Sequence, residues 1–205
     1  MSRIETMEQL FIEKTFDKID FTQIPLSKGE YEYCNFVKCD FSKSDLSDIE
    51  FSECNFSGCN LSLIILNRTS LKDVKFKDCK MVGVNFGNCN EFGFVVHFDT
   101  CTFNHSLFSN TTAPVKKRVK FRHTVFKNSI LHEVDFTECD LTSAVFDRCD
   151  LARTIFDRTI LEKADFRNSF NYSIDPELNR IKKAKFSLSG IAGLLVKYDL
   201  EIDID

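Results

Sequence analysis

From Phe16 onward a large apolar residue returns at every fifth position: Phe16, Phe21, Leu26, Tyr31, Phe36, Phe41, Leu46, Phe51, Phe56, Leu61, Leu66, Leu71, Phe76, Met81 and Phe86. The series slips by two residues, resumes at Phe98, Phe103 and Phe108, breaks again, and then runs unbroken from Phe121 to Phe166. These 28 positions hold 17 of the 22 phenylalanines in a chain without tryptophan, so one hole is being filled many times with the same ring. An α-helix repeats every 3.6 residues and a strand every two, and neither fits. A chain that turns a corner every five residues does fit. One large and one small residue of each unit then point inward, and three face water.

The small inward position lies two residues before the large one. It reads Cys34, Cys39, Ser44, Ile49, Cys54, Cys59, Ile64, Thr69, Val74, Cys79 and Val84, continues through Cys101, Cys139 and Cys149, and with Cys89 takes in all nine cysteines of the chain. Cysteine behaves as a small hydrophobe that is buried more often than most residues, so these thiols read as core. Were four such units to close one turn, residues twenty apart would stack, which would make disulfides such as Cys39–Cys59 geometrically conceivable. A cytoplasmic setting argues for free thiols. The outer positions are rich in Asp, Asn and Ser, whose short side chains bond to nearby backbone at corners.

Little in the sequence suggests chemistry. The cysteines lack zinc-module spacing, and His97, His105, His123 and His132 are scattered. There is no nucleophile elbow, phosphate loop or dinucleotide fingerprint. The expectation is a non-enzymatic protein with no cofactor, no metal and no small-molecule substrate. No apolar run approaches the ~18 residues of a membrane span. The acidic start, Met1 to Glu8, does not resemble a signal peptide. A cytoplasmic, bacterial protein is expected.

Units such as Cys34-Asn35-Phe36, Cys39-Asp40-Phe41, Cys54-Asn55-Phe56, Cys139-Asp140-Leu141 and Ala164-Asp165-Phe166 resemble the pentapeptide-repeat family. That resemblance implies an all-β, right-handed quadrilateral parallel β-helix, with four units to a coil. Seven coils at the ~4.8 Å spacing of paired strands give a rod roughly 34 Å long. Residues 1–186 form the solenoid on this reading, and residues 187–205 a separate C-terminal module.

The interruptions are where a solenoid carries binding. Residues 87–97 add two residues and expose Glu91, Phe92 and Phe94 as a minor loop, or form a tolerated bulge. Residues 109–120 add eight, contain Pro114, and end in Lys116, Lys117, Arg118 and Lys120. Such a basic loop suits an acidic partner surface or nucleic acid, or is a solvated loop. Asp175-Pro176-Glu177 reads as a helix start, giving a short helical insertion near 175–183. Residues 188–198 read as a short helix and 199–205 as a strand, presenting Ile191, Leu194, Leu195, Leu200, Ile202 and Ile204 as a homodimer interface.

Two interruptions followed by a C-terminal helix and strand resemble the quinolone-resistance (Qnr-like) branch. The resemblance implies a homodimer joined at its C-termini that binds a type II topoisomerase, DNA gyrase, and protects it from quinolones. The alternative is a generic scaffold for an unrelated protein partner. Residues 1–60 carry 12 acids and 6 bases, residues 61–120 carry 4 and 9, and residues 121–205 carry 15 and 12. A basic middle leaves room only for partial DNA mimicry, and no direct nucleic-acid binding is expected.

Overall fold

The computed structural model describes residues 9–109 and 118–201, and within them the five-residue period becomes a four-sided, right-handed parallel β-solenoid. Eleven short strands lie on two of its sides: β1 (Gln9–Ile12), β2 (Thr15–Asp17), β3 (Gly29–Glu32), β4 (Asn35–Val37), β5 (Glu50–Ser52), β6 (Asn55–Ser57), β7 (Ser70–Lys72), β8 (Val74–Lys77), β9 (Val96–Asp99), β10 (Val125–Lys127) and β11 (Val145–Asp147). They pair in parallel as β1-β3-β5-β7 and as β11-β10-β9-β8-β6-β4-β2. The register advances by twenty residues per coil, as Phe16↔Phe36 and Phe36↔Phe56 show. It jumps to 22 at Phe76↔Phe98 and to 28 at Phe98↔Phe126. The inward residues thus resume in register after each interruption.

The large inward residues stack side by side through the rod. On one side Phe16, Phe36, Phe56, Phe76, Phe98, Phe126, Phe146, Phe166 and Phe186 form one column of near-parallel rings, with centroids 4.5–5.4 Å apart. Each such pair adds about 0.5–1.5 kcal/mol beyond simple burial. The column spans eight coil steps, roughly 38 Å. That exceeds the sequence expectation because Phe186, beyond the unbroken series, rejoins the stack.

The small inward position has a polar task as well as a packing one. Its hydroxyl or thiol donates to the carbonyl of the large inward residue one coil earlier: Thr69 to Leu46 (2.8 Å), Thr159 to Phe136 (2.8 Å), Ser106 to Met81 (2.6 Å), Cys59 to Phe36 (3.3 Å). An unpaired buried carbonyl costs on the order of 1–3 kcal/mol. Cysteine, serine and threonine interchange here because each is small and each can donate. All nine cysteines are free.

Corners combine two local devices. The Asp or Asn before the large residue accepts from the backbone N–H two residues on, as in Asp40 to Ser42 (2.8 Å) and Asp135 to Thr137 (2.7 Å). The residue two after the large one adopts the left-handed conformation, as in Lys38 (φ 52°), Asp78 (φ 54°) and Arg148 (φ 53°). Left-handed backbone costs an L-residue roughly 1–2 kcal/mol, and the coil-to-coil ladder holds it there.

Two sequence expectations at the C-terminal end change. Residues 175–183 form one turn, not a helix. Asp175 caps Glu177 N–H (2.8 Å) and Asn179 N–H reaches the Asp175 carbonyl (3.2 Å). There the helix stops, because Asn179 turns inward into the small slot. Its amide donates to the Phe156 carbonyl and accepts from Thr159 N–H, returning the chain to the ladder. Residues 188–198 hold two short 3-10 helices, Ile191–Leu194 and Val196–Tyr198, in place of one helix. Residues 199–201 form no strand, and the rest of the expected strand, with Ile202 and Ile204, lies outside the described residues.

Candidate functional site

Both interruptions open on the same side of the rod, on adjacent coils. That side carries Tyr31, Phe51 and Leu71 inward, and its bridges run Ser70↔Asn90 and then Lys120↔Asp140. In the coil between Leu71 and Phe121 the inward register position falls to Glu91. Glu91 is half-buried there, and the two added residues bring in Phe94, which packs against the core and meets Phe121 edge-on at 5.1 Å. Val95 N–H then bonds the Leu71 carbonyl at 3.0 Å, and Val96 is back in the small slot.

Phe92 points the other way and is 79% exposed. Asn90 fixes it there by accepting from Phe92 N–H at 3.0 Å. Gly93 follows with φ +69°, a left-handed turn in which an added Cβ would press on the Lys72 side chain at 3.3 Å. The Lys72 ammonium sits 6.0 Å from the Phe92 ring centre. An open depression of about 670 Å³ beside it is lined by Arg68, Cys89, Asn90, Glu91 and Phe92. A fixed aromatic knob beside a depression is the form of an interface anchor. Phe92 stands exposed and Glu91 is half-buried, whereas Phe94 is half-buried and packs against the core.

The basic residues of the longer interruption separate as well. Pro114, Lys116 and Lys117 lie outside the described residues. Lys120 is exposed on the ladder. Arg118 folds back onto the rod, its guanidinium donating to the Arg158 carbonyl at 2.5 Å. Arg122, not singled out by the sequence, holds the buried Asp140 carboxylate at 2.5–2.6 Å. Burial pushes the Asp140 carboxyl up, but Arg122 and two bonds from Thr142 outweigh it and hold it below the usual carboxylate range.

Residues 30–92 match the family model for a pentapeptide repeat region, and residues 117–142 and 135–170 match that for pentapeptide repeats in eight copies. The chain belongs to the pentapeptide-repeat family. Among solved structures it is similar to trypsin-treated QnrB1, described as a plasmid-mediated fluoroquinolone resistance protein. Identity there is 14%, the match covers 96% of this chain and 98% of that one, and the TM-score is 0.59. A full-length QnrB1 structure aligns at 16% identity over 94% and 100% of the two chains, with a TM-score of 0.45. HetL, a pentapeptide-repeat protein involved in heterocyst differentiation regulation in Nostoc, aligns at 15% identity over 89% and 86%, with a TM-score of 0.37. No curated protein matches the sequence. At 14% identity the likeness to the trypsin-treated structure speaks for the fold alone.

Charge on this pentapeptide-repeat protein is organised by side and by coil. Within the basic middle Arg68 pairs with Asp48 (2.6 Å) and Lys72 with Glu50; just beyond it Arg122 pairs with Asp140, and Lys77 and Lys127 lie on the rungs either side of Asp99. Nearer the N-terminus, the side bearing β1, β3 and β5 gathers Glu13, Glu30, Glu32, Glu50 and Glu53. The Tyr33 hydroxyl donates to Glu53 at 3.0 Å, and that bond, with the surrounding carboxylates, pushes its pKa up. Among the described residues no group of three or more His, Cys, Asp or Glu side chains could hold a metal ion, and no helix is long and apolar enough to cross a membrane.

At the C-terminal end the chain caps its own core. Tyr172 packs on Phe166 and Phe186, with ring centres 5.6 and 5.8 Å away, and Ile174 N–H bonds the Gly193 carbonyl at 2.9 Å. Leu194 and Leu195 are half-buried, Leu194 against the core, so among the described interface candidates Ile191 and Leu200 are exposed. Beside them stand Leu188 (88% exposed), Val196 and Tyr198, which the sequence reading passed over.

Proposed function

We propose that this protein is a non-catalytic, cytoplasmic solenoid that binds a bacterial type II topoisomerase, DNA gyrase, and protects it from quinolones. The observation that carries the reading is the placement of both interruptions on one side of adjacent coils, with Phe92 exposed as an anchor beside them. Two loops that share a side can engage one partner together, whereas loops on opposite sides could not. The carboxylates between Glu13 and Glu53, further along that side, supply the negative surface that partial DNA mimicry needs. The exposed apolar residues Leu188, Ile191, Val196, Tyr198 and Leu200, close together in sequence at the C-terminal end, support a homodimer joined there, since exposed apolar surface marks interaction sites.

The test is a supercoiling assay of purified gyrase with and without a quinolone. The full-length protein is expected to preserve supercoiling in the presence of drug. Deleting residues 110–118 and replacing Phe92 by Ala should each abolish or sharply reduce this, with the solenoid intact by circular dichroism. Absence of protection at any molar excess would overturn the reading. Recovery of a different protein in a pull-down would then favour the generic scaffold.

A further inference from the structure

The residue that leaves the first interruption and the residue that follows the second are in contact. Phe94 abuts Phe121 at 5.1 Å with the rings perpendicular. Phe121 in turn meets Phe108, the last large inward residue before the long interruption, at 4.9 Å and again edge-on. Phe94 is thus the piece of the short interruption on which the return of the long one rests. Three residues before Phe121, Arg118 reaches past one coil to the Arg158 carbonyl. Arg158 is itself held, its guanidinium on Glu138 at 3.1 Å and on Asp157 at 3.0 Å. The returning stem is pinned from below by a ring and from above by a guanidinium.

We propose that Phe94 and Arg118 are positioning residues that couple the two interruptions into one unit, setting the stem Arg118–Phe121 and the surface presented by Phe92. Neither residue is a partner contact. The two-residue insertion supplies Phe94: without it Glu91 would occupy the inward position and Phe121 would keep only Phe108 of its two ring partners. The proposal rests on the partner-binding reading only for its second readout.

Native-state amide exchange gives the first. The Phe121 and His123 amides bond the Asp140 and Thr142 carbonyls, and the Phe41 and Leu61 amides bond those of Asn60 and Lys80 far down the rod. Phe94→Ala and Arg118→Ala are each expected to speed exchange at Phe121 and His123 at least tenfold while leaving Phe41 and Leu61 unchanged. Phe94→Leu should restore slow exchange, and Phe92→Ala should change none of the four amides. Unchanged exchange in Phe94→Ala would show the interruptions to be independent. A uniform rise at all four would reduce Phe94 to an ordinary core residue. Gyrase binding gives the second readout: Phe94→Ala should weaken it at least fivefold and Phe94→Leu restore it. If the wild-type protein does not bind gyrase, the functional reading falls and the exchange result still decides the coupling.

Discussion

At the scale of single residues, what distinguishes this chain is how many positions do two jobs. Thr159 fills the small inward slot and also donates to the Phe136 carbonyl at 2.8 Å. Thr159→Val keeps the shape and removes the donor, so it should lower unfolding free energy by about 1–2 kcal/mol, while Thr159→Ser stays near wild type; urea denaturation separates them. At the corners, Lys43 is exposed with φ +62°. Lys43→Val should cost about 1–2 kcal/mol, because a β-branched side chain tolerates that conformation worst, and Lys43→Gly should be nearly neutral. Burial pushes the Cys54 and Cys149 thiols up to about 12, which keeps them unreactive in the folded rod. Asp140 carries a sign that pH can read. Its carboxyl is held low in the folded state, so its contribution is complete above the ordinary Asp value of about 4 and is lost as pH falls through the lower folded value. The difference in melting temperature between wild type and Asp140→Asn should therefore be full at pH 7 and close under acid conditions.

At the scale of elements, the strands carry little on their own. Most are three or four residues long, and each depends on the coil above and below. The C-terminal cap shows how closely such pieces fit. A Cβ on Gly190 would lie 2.1 Å from the Tyr172 hydroxyl oxygen, and one on Gly193 would lie 2.4 Å from the Tyr172 carbonyl oxygen. Gly190→Ala should therefore displace Tyr172 and open the last coil, seen as faster amide exchange at Ile174 with little change at Phe41. The helix expected after Asp175 fails for a related reason. Its local start signal is real, since Asp175 does cap Glu177, but one turn later the buried slot above Thr159 takes Asn179. Tertiary hydrogen bonding overrides helix propensity there.

At the scale of the molecule, a solenoid has two ends and four sides, and each serves differently. The C-terminal end presents the apolar residues Leu188, Ile191, Val196, Tyr198 and Leu200. With dimerisation through this end, the double variant Leu188→Glu and Ile191→Glu should be monomeric by analytical ultracentrifugation while keeping its β-sheet signal. An unchanged sedimentation coefficient would place any dimer contact elsewhere. The sides differ in charge because outward residues stack every coil, so a Glu at one position faces a Glu or a Lys twenty residues on. Glu30 over Glu50 builds a negative field, whereas Arg68 over Asp48 cancels one.

The sequence alone determined the solenoid. A period of five calls for a chain that turns a corner every five residues, the small slot before each ring follows from the same spacing, and the resemblance of its units to pentapeptide repeats implied four of them to a coil. Its interruptions were legible as lengths, two residues and eight, because the inward residues resume in phase on either side. What only the tertiary structure decided is direction. Phe92 and Phe94 are two residues apart and chemically identical, yet one faces water and the other faces Phe121. Arg118 reads as one cation among four until the Arg158 carbonyl, forty residues away, is placed beside it. Spacing reports which residues recur, and a side chain leaves the repeat to satisfy neighbours that are distant in sequence. At such places the partners of a residue are set by the stacking of coils.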